Sequence, residues 1–316
     1  ANLRSALPMN LKARFPGCRV DWAVSEALSP LLEGHPWVDR ILRVDSAALH
    51  DGPVWARGAA VLRARRDLPD GYDLVFLFHR SRAHLAYLLG KGPIVRMDRR
   101  GDSGFTAGTC RVHCPPRTRH ESRQIQHALV EGLRRSGLGG GTPEAWRPDL
   151  GHLLPTHPPN RIGTRIGLHL GGGHNAGATF DLKQWPHMAT LGRALLETTT
   201  HGLALFGAPE DRPAADRFLA DLADPGLRDR IQDCVGRTDL PRLVQGIAGC
   251  AAFVGPDSGP LHLADTLGIP VLGLYGPTSP EAWGPLGAGS AVLVTRLACQ
   301  PCYQDDGRIP DCLHQH

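Results

Sequence analysis

The sequence of 316 residues has few aromatic side chains and no long apolar segment. Phe, Trp and Tyr make up only 6% of the residues. No run of about 18 apolar residues is present, which excludes an ordinary membrane-spanning helix. The first residues also lack the charged and apolar regions of a secretory signal. We therefore expect a soluble, cytoplasmic protein of a length that suits two domains of about 150 residues each.

The cysteines do not indicate a disulfide framework. Eight are present, and Cys18, Cys234 and Cys250 stand beside apolar residues, as reduced intracellular thiols often do. The end of the chain differs, because four soft ligands follow one another closely enough for one tetrahedral metal. They are Cys299, Cys302, Cys312 and His314. Since their spacing is poor for a zinc ribbon, we expect no metal and keep this site as the alternative.

Positive charge is concentrated in the first half of the chain. Residues 1–150 contain 23 Lys and Arg against 15 Asp and Glu, whereas residues 151–316 contain 12 against 16. A basic surface attracts anionic partners, and Arg80 and Arg82 are the candidate contacts. An arginine-rich solvated surface without a ligand is the alternative. No nucleic-acid-binding motif accompanies the arginines, so a nucleic acid partner is not expected.

Short apolar runs alternate with helical stretches in both halves, which predicts α/β domains with parallel sheets. The Gly- and Pro-rich residues 139–159 separate the two patterns as a linker. We therefore predict domains at residues 1–150 and 151–316, facing each other across a cleft. Ligands of such sheets bind at the carboxyl ends of the strands. The loops that follow the second-half strands are thus the candidate site.

The most informative segment runs from residue 254 to residue 277. Its pattern predicts a strand, a Gly-Pro turn, a short helix capped by Ser258 and a second strand. The backbone N–H groups near Ser258 and Gly259 lie at the positive end of this helix, where phosphate binds readily. Asp257 and His262 flank that point. An ordinary strand-to-helix crossover is the alternative for an Asp-Ser-Gly before a helix.

This segment resembles the nucleotide-sugar site of the heptosyltransferase family, glycosyltransferase family nine, which has the GT-B fold. The family pattern reads D-[ST]-G-x-x-H-L-A, then G-x-P, then L-[FY]-G-P-T, and the chain fits it from Asp257 to Thr278. Other pieces follow in the family's order at residues 14–24, 35–42, 71–78, 183–186 and 205–211. The resemblance therefore covers nearly the whole chain and implies two Rossmann-like domains.

The resemblance implies an inverting transfer of heptose from ADP-heptose to an anionic acceptor, such as the lipopolysaccharide inner core. No metal or further cofactor is expected, because the helix start, Lys183 and His262 would stabilise the leaving diphosphate. In the matching motif T-x-x-x-K-x-W the Thr and Lys contact the donor phosphates, and Thr179 and Lys183 occupy those positions. Glu210 is the candidate for the ribose hydroxyls, although the family's spacing points to Asp211.

The general base is the part for which the sequence offers no clear residue. The family's base lies in a Gly-Asp loop after a first strand, and this chain begins at or beyond that point. Leu77 replaces a second acidic residue of the family, which leaves His79 as the candidate base and a structural histidine as the alternative. Arg80 and Arg82 are the candidate acceptor contacts, with peripheral contact to the inner membrane. A GT-B epimerase and a non-catalytic nucleotide-sugar binder are the alternative functions.

Overall fold

A computed structural model describes most of the chain. The residues described are 6–50, 53–78, 82–98, 104–106, 109–114, 120–139, 148–154, 164–172, 174–175, 178–179, 181–295, 297 and 300–302. The chain forms two compact units, residues 3–148 and 149–316. The boundary between them falls within the Gly- and Pro-rich residues 139–159.

The first unit combines five helices with two small sheets among its described residues. The helices are α1 (Ala6–Arg14), α2 (Ser46–His50), α3 (Val54–Asp67), α4 (Arg82–Leu88) and α5 (Glu121–Arg135). The strands are β1 (Asp21–Ser25), β2 (Arg40–Val44), β3 (Val75–Leu77), β4 (Ile94–Asp98), β5 (Gly104–Thr106) and β6 (Thr109–His113). β1 pairs with β2 in parallel, and a four-stranded sheet has the order β3-β4-β6-β5 with only the β5–β6 pair antiparallel.

Helices α3 and α5 pack against these strands in different ways. α5 comes close to β4 because Gly132 has no side chain, and a Cβ at that position would lie 2.7 Å from Val95. α3 faces a core that contains Leu77 and Ile94 through small residues, of which Ala60 is buried. The opposite side of α3 is exposed to solvent. A small buried face and a wide exposed face thus distinguish α3.

The second unit is a parallel sheet flanked by helices. Its helices are α6 (Met188–Thr198), α7 (Arg212–Asp221), α8 (Pro225–Arg228), α9 (Leu240–Ala248), α10 (Gly259–Thr266) and α11 (Pro280–Trp283). Its strands are β7 (Arg165–His169), β8 (His174–Asn175), β9 (Ala178–Thr179), β10 (Gly202–Phe206), β11 (Ile231–Asp233), β12 (Ala252–Pro256), β13 (Val271–Tyr275) and β14 (Ala291–Val294). The order is β11-β10-β7-β12-β13-β14 with every pair parallel, while β8 and β9 form a separate hairpin.

The strand order reverses direction between β7 and β12. From β7 the chain adds β10 and β11 on one side, and it then returns to add β12, β13 and β14 on the other side. Such a reversal separates the connecting helices and opens a crevice at the carboxyl ends of the two central strands. The fold therefore favours a ligand site beside residues 170–172 and 257–259.

Tight packing fixes this central strand pair. A Cβ at Gly167 on β7 would lie 2.5 Å from the ring of Phe253 on β12, so the glycine makes room for that ring. Near the end of α10, the Asp265 carboxylate accepts hydrogen bonds from the N–H groups of Leu286 and Gly287 and from the Ser290 hydroxyl, at 2.7 to 2.9 Å. These bonds tie α10 to the turn that precedes β14.

The described part of the chain contains no helix long and apolar enough to cross a membrane. The mixed α/β architecture with parallel sheets confirms the predicted fold class.

Candidate functional site

A buried carboxylate lies at the reversal between β7 and β12. Asp257 directly follows β12, and its Oδ1 lies 3.1 Å from Nε2 of His262 on α10. Its Oδ2 and its main-chain oxygen each accept a hydrogen bond of 3.1 Å from Nζ of Lys183, in the segment after β9. The side chains of Lys183 and Asp257 are only 12% and 11% exposed. The structure thus brings together three residues that the sequence predicted as donor contacts.

Asp257 is held in its charged form. Burial by itself would raise the pKa of this carboxyl, but the hydrogen bond from His262 and the positive charge of Lys183 outweigh it and lower the pKa to about 2. The carboxylate therefore stays ionised at neutral pH and orients both Lys183 and His262.

This pKa shift predicts a loss of stability in acid. The pKa of Asp257 is lower in the folded state than its unfolded-state value of 3.8, so its ionised form stabilises the fold at pH values above 3.8. This stabilisation is lost as the pH falls from about 4 to about 2. The stabilisation at neutral pH is about 2 kcal/mol. Urea unfolding between pH 6 and pH 2 checks this, with Asp257→Asn as the comparison. The free energy of unfolding of the variant should depend less steeply on pH. Equal slopes for parent and variant would contradict the assignment.

The start of α10 is open, as expected, but its cap differs from the prediction. Ser258 occupies the N-cap position with extended backbone, yet its side chain makes no capping hydrogen bond. The Ser258 hydroxyl is buried and has no partner within the described residues. The prediction that Ser258 caps this helix through its side chain is therefore wrong. The hydroxyl is instead a polar group near the helix start that a ligand can satisfy.

The backbone of the first turn also presents donors. The first N–H groups of a helix have no intrahelical acceptor, and the first main-chain bond of α10 runs from the His262 N–H to the Ser258 oxygen at 3.2 Å. Pro260 has no N–H, so Gly259 and Leu261 supply the donors. A Cβ at Gly259 would meet no atom within 4 Å. The helix start therefore offers N–H groups with free space at the glycine.

A second buried hydroxyl lies at the end of the neighbouring strand. Thr278 follows β13, which pairs with β12, and its Oγ1 has no partner among the described residues. Thr278 belongs to the G-P-T part of the family pattern but was not among the predicted site residues. The G-P-T pattern was the sequence signal that could have identified Thr278 as a site residue. Ser258 and Thr278 thus supply two unsatisfied hydroxyls after adjacent strands.

Glu210 and Asp211 have different environments after β10. Glu210 is exposed, and no hydrogen bond or ion pair joins it to another described residue. Asp211 is buried, and its Oδ2 accepts a hydrogen bond of 2.8 Å from the Ala208 N–H. Its carboxylate also fills the space beside Gly171 and Gly207. Asp211 therefore stabilises the loops, whereas Glu210 is the carboxylate accessible to a ligand.

The remaining predicted residues are described only in part or not at all. Thr179 ends β9, and its side chain lies outside the description. Arg82 begins α4, and its side chain is likewise outside it. His79 and Arg80 lie wholly outside the described residues. The same holds for Cys299, Cys312 and His314, while Cys302 is buried.

A small cavity lies beside the turn that follows β13. It measures about 150 Å³ and is lined by residues that include Thr278, Glu281 and Gln300. Pockets for drug-sized ligands usually measure about 300 to 1,000 Å³. This cavity is therefore too small to hold a whole nucleotide. No group of three or more potential metal ligands occurs in the part of the chain that the structure describes.

Comparison with known proteins agrees with the sequence pattern. Residues 173–311 match the family model Glycosyltransferase family 9 (heptosyltransferase). The chain is 27% identical over 307 residues to lipopolysaccharide heptosyltransferase 1 of Pseudomonas aeruginosa, and the alignment covers 91% of this chain and 78% of that protein. It is 36% identical over 113 residues to lipooligosaccharide heptosyltransferase 2 of Haemophilus influenzae, covering 35% of this chain and 32% of the relative. This second match spans about a third of the relative's length.

Solved structures give the same result over a longer span. The structure of E. coli ADP-heptose lps heptosyltransferase II is 25% identical, with a TM-score of 0.68, and the match covers 95% of this chain and 87% of that chain. E. coli heptosyltransferase WaaC with ADP gives a TM-score of 0.70 at 21% identity, covering 93% and 90%. The predicted resemblance to the heptosyltransferase family and the predicted GT-B fold are confirmed. The predicted enzyme class, glycosyltransferase, is supported by the same relatives.

Proposed function

We propose that this protein is an inverting glycosyltransferase that transfers heptose from ADP-heptose to an anionic acceptor such as the lipopolysaccharide inner core. The observation that carries the proposal is the buried cluster of Lys183, Asp257 and His262 beside the open start of α10. The curated relatives are named as heptosyltransferases, and a solved neighbour contains ADP.

The donor diphosphate binds at the start of α10 in this proposal. The N–H groups of Gly259 and Leu261 face it at the positive end of the helix, and the Ser258 and Thr278 hydroxyls supply further hydrogen bonds. Glu210 accepts hydrogen bonds from the ribose hydroxyls, while Thr179 and Lys183 contact the phosphates. Hydrogen bonds and positive charge that are fixed before the reaction stabilise the charge growing on the departing ADP. The proposed transfer therefore needs no metal.

Asp257 acts as a positioning residue. Its carboxylate holds the ammonium group of Lys183 and the ring of His262 at the same 3.1 Å distance. Because Asp257 neutralises Lys183 in part, the Lys183 ammonium group stays near the helix start before a donor arrives. A bound diphosphate then competes with Asp257 for one or more of the three donors of the ammonium group.

The acceptor half of the proposal depends on the basic first unit. Arg80 and Arg82 bind the anionic acceptor, and His79 removes the proton from its hydroxyl. An inverting transfer needs such a base, because the hydroxyl attacks the sugar as its proton leaves. The acceptor is a glycolipid, so the protein works at the cytoplasmic face of the inner membrane. Release of ADP from ADP-heptose when acceptor is added distinguishes a transferase from a protein that only binds the donor.

The assignment of Lys183 to the donor site predicts that Lys183→Ala weakens the binding of ADP. Loss of one charge-assisted contact with phosphate should raise the Kd for ADP at least about tenfold. Isothermal titration calorimetry measures this directly. Lys91→Ala is a matched control, because Lys91 also donates to a main-chain oxygen and to a carboxylate, those of Leu68 and Asp70. An unchanged Kd for Lys183→Ala, measured on folded protein, would remove Lys183 from the donor site.

The same titration tests metal independence. ADP should bind equally well in EDTA, because the helix start and not a divalent ion holds the diphosphate. Binding that is lost in EDTA and restored by magnesium would contradict this part of the proposal.

A further inference from the structure

The outer face of α3 exposes large apolar side chains. Trp55 is 77% exposed and Leu62 is 68% exposed, although both residue types usually pack in a core or an interface. Residues 55, 59, 62 and 66 follow helical spacing and share one side of the helix. We call Trp55, Ala59, Leu62, Arg63 and Arg66 the outer face of α3. The side chains on this face are all exposed.

The charge of α3 is strongly positive. The helix contains four arginines, Arg57, Arg63, Arg65 and Arg66, against the single acid Asp67. Arg65 turns inward and donates to the Leu89 main-chain oxygen. The Arg66 side chain is 81% exposed, and its contact with Asp67 is long, at 3.8 Å. Apolar and cationic groups therefore face solvent together.

We propose that the outer face of α3 docks on the surface of an anionic lipid bilayer. A helix that lies in a membrane interface places Trp and Leu at the level of the acyl boundary and Arg near the lipid phosphates. Each Lys or Arg near an anionic lipid surface adds to the attraction. α3 has 14 residues, which is too short to span a bilayer, so it lies parallel to the surface.

Two physical arguments favour lipid over a protein partner. A stable protein interface buries about 800 Å² on each partner, whereas this face presents two large apolar side chains on one helix. In a dimer formed through the outer face of α3, the arginines of one copy would lie opposite the arginines of the other, and this repulsion costs energy. A surface of lipid phosphates instead offers complementary charge over any area. This inference rests on α3 alone, so its failure leaves the donor assignment standing.

Vesicle binding tests the proposal. The full chain should float with vesicles of phosphatidylglycerol and phosphatidylethanolamine, and much less with phosphatidylcholine alone. Trp55→Ser with Leu62→Ser, and separately Arg63→Glu with Arg66→Glu, should each lower the partition coefficient at least about tenfold. High salt should weaken parent binding because it screens the surface charge.

Matched controls come from the second unit. Leu293→Ser replaces an apolar side chain that is 55% exposed on β14, and Arg242→Glu reverses an arginine side chain that is 74% exposed on α9. Neither change should alter vesicle binding. All the altered side chains on α3 are exposed, so the thermal unfolding midpoint and the Kd for ADP should stay at the parent values.

Brominated lipids locate the contact more closely. Bromine on the acyl chain near the headgroups should quench part of the tryptophan fluorescence of the parent. Trp55→Phe keeps an apolar ring and should still bind, but most of that quenching should be lost although other tryptophans remain. Failure of the parent to bind anionic vesicles would overturn the proposal, as would parent-like binding of both double variants. Dimerisation that the same substitutions abolish would identify a second copy as the occupant instead.

Discussion

Gly259→Val should remove most of the affinity for ADP while the protein folds normally. A Cβ at this position meets no atom within 4 Å, and the backbone there does not need the left-handed conformation that favours glycine. We therefore expect the fold to accept a valine side chain there. It would occupy the space through which the diphosphate approaches the N–H groups of the first turn of α10. We expect the Kd for ADP to rise at least about a hundredfold, which is about 2.7 kcal/mol.

Calorimetric titration together with urea unfolding separates these two effects. Gly58→Val is the matched control, because Gly58 also lies in a helix and a Cβ there meets nothing within 4 Å. Both variants should unfold close to the parent midpoint, and only Gly259→Val should lose ADP. If Gly259→Val folded and bound ADP like the parent, the start of α10 would have only a structural role.

Asp257→Ala should have the largest effect on stability. Removing one partner from a buried ion pair leaves the other charge uncompensated, which costs about 3 to 5 kcal/mol. Here two groups lose their common acceptor, since Lys183 and His262 both contact the carboxylate. Urea unfolding at pH 7 measures the loss. ADP binding should also weaken, because neither the Lys183 ammonium group nor the His262 ring is then held beside the helix start.

Comparison variants test whether the burial of the pair is the cause. Glu33→Ala also removes a carboxylate that accepts from a cation, Arg43 at 3.0 Å, but the side chains of Glu33 and Arg43 are 56% and 52% exposed. That variant should unfold like the parent. Lys183→Ala and Asp257→Ala combined should cost clearly less than the sum of the two single changes. Additive costs, or an Asp257→Ala protein as stable as the parent, would show that the contacts in this cluster are energetically independent.

Local patterns in the sequence were enough to predict the helix start. The Gly-Pro turn, the apolar inward face and the Asp-Ser-Gly spacing place α10 after a strand, and Leu261 and Ala264 are fully buried as that face requires. The error about the Ser258 cap also has a sequence explanation. An N-cap hydroxyl accepts from the second or third N–H of the helix. Because the second helical residue is Pro260, which has no N–H, only the Leu261 N–H is left as a donor for such a cap.

Contacts between residues that are distant in the sequence could not be predicted from local patterns. The bond between Lys183 and Asp257 joins residues 74 positions apart. It forms because β7 and β12 become neighbours, which depends on the order of the whole sheet. The burial of the Asp257 carboxylate likewise depends on packing. So does the absence of a hydrogen-bond partner for the Thr278 hydroxyl among the described residues. The short edge strand β14 was not predicted, because its Ala-Val-Leu-Val sequence gives only four residues of signal.

The hydrogen bonds of Asp265 bear on the thermodynamics of ligand binding. Three donors hold this residue near the end of α10 to the turn before β14, so the helix cannot slide along its axis without breaking them. The N–H groups at the other end of the same helix are thereby fixed in position during folding. A ligand that binds there loses little free energy to ordering the protein, because preorganised groups need no further immobilisation. The heat and entropy of binding should then report mainly on the ligand and the water it displaces.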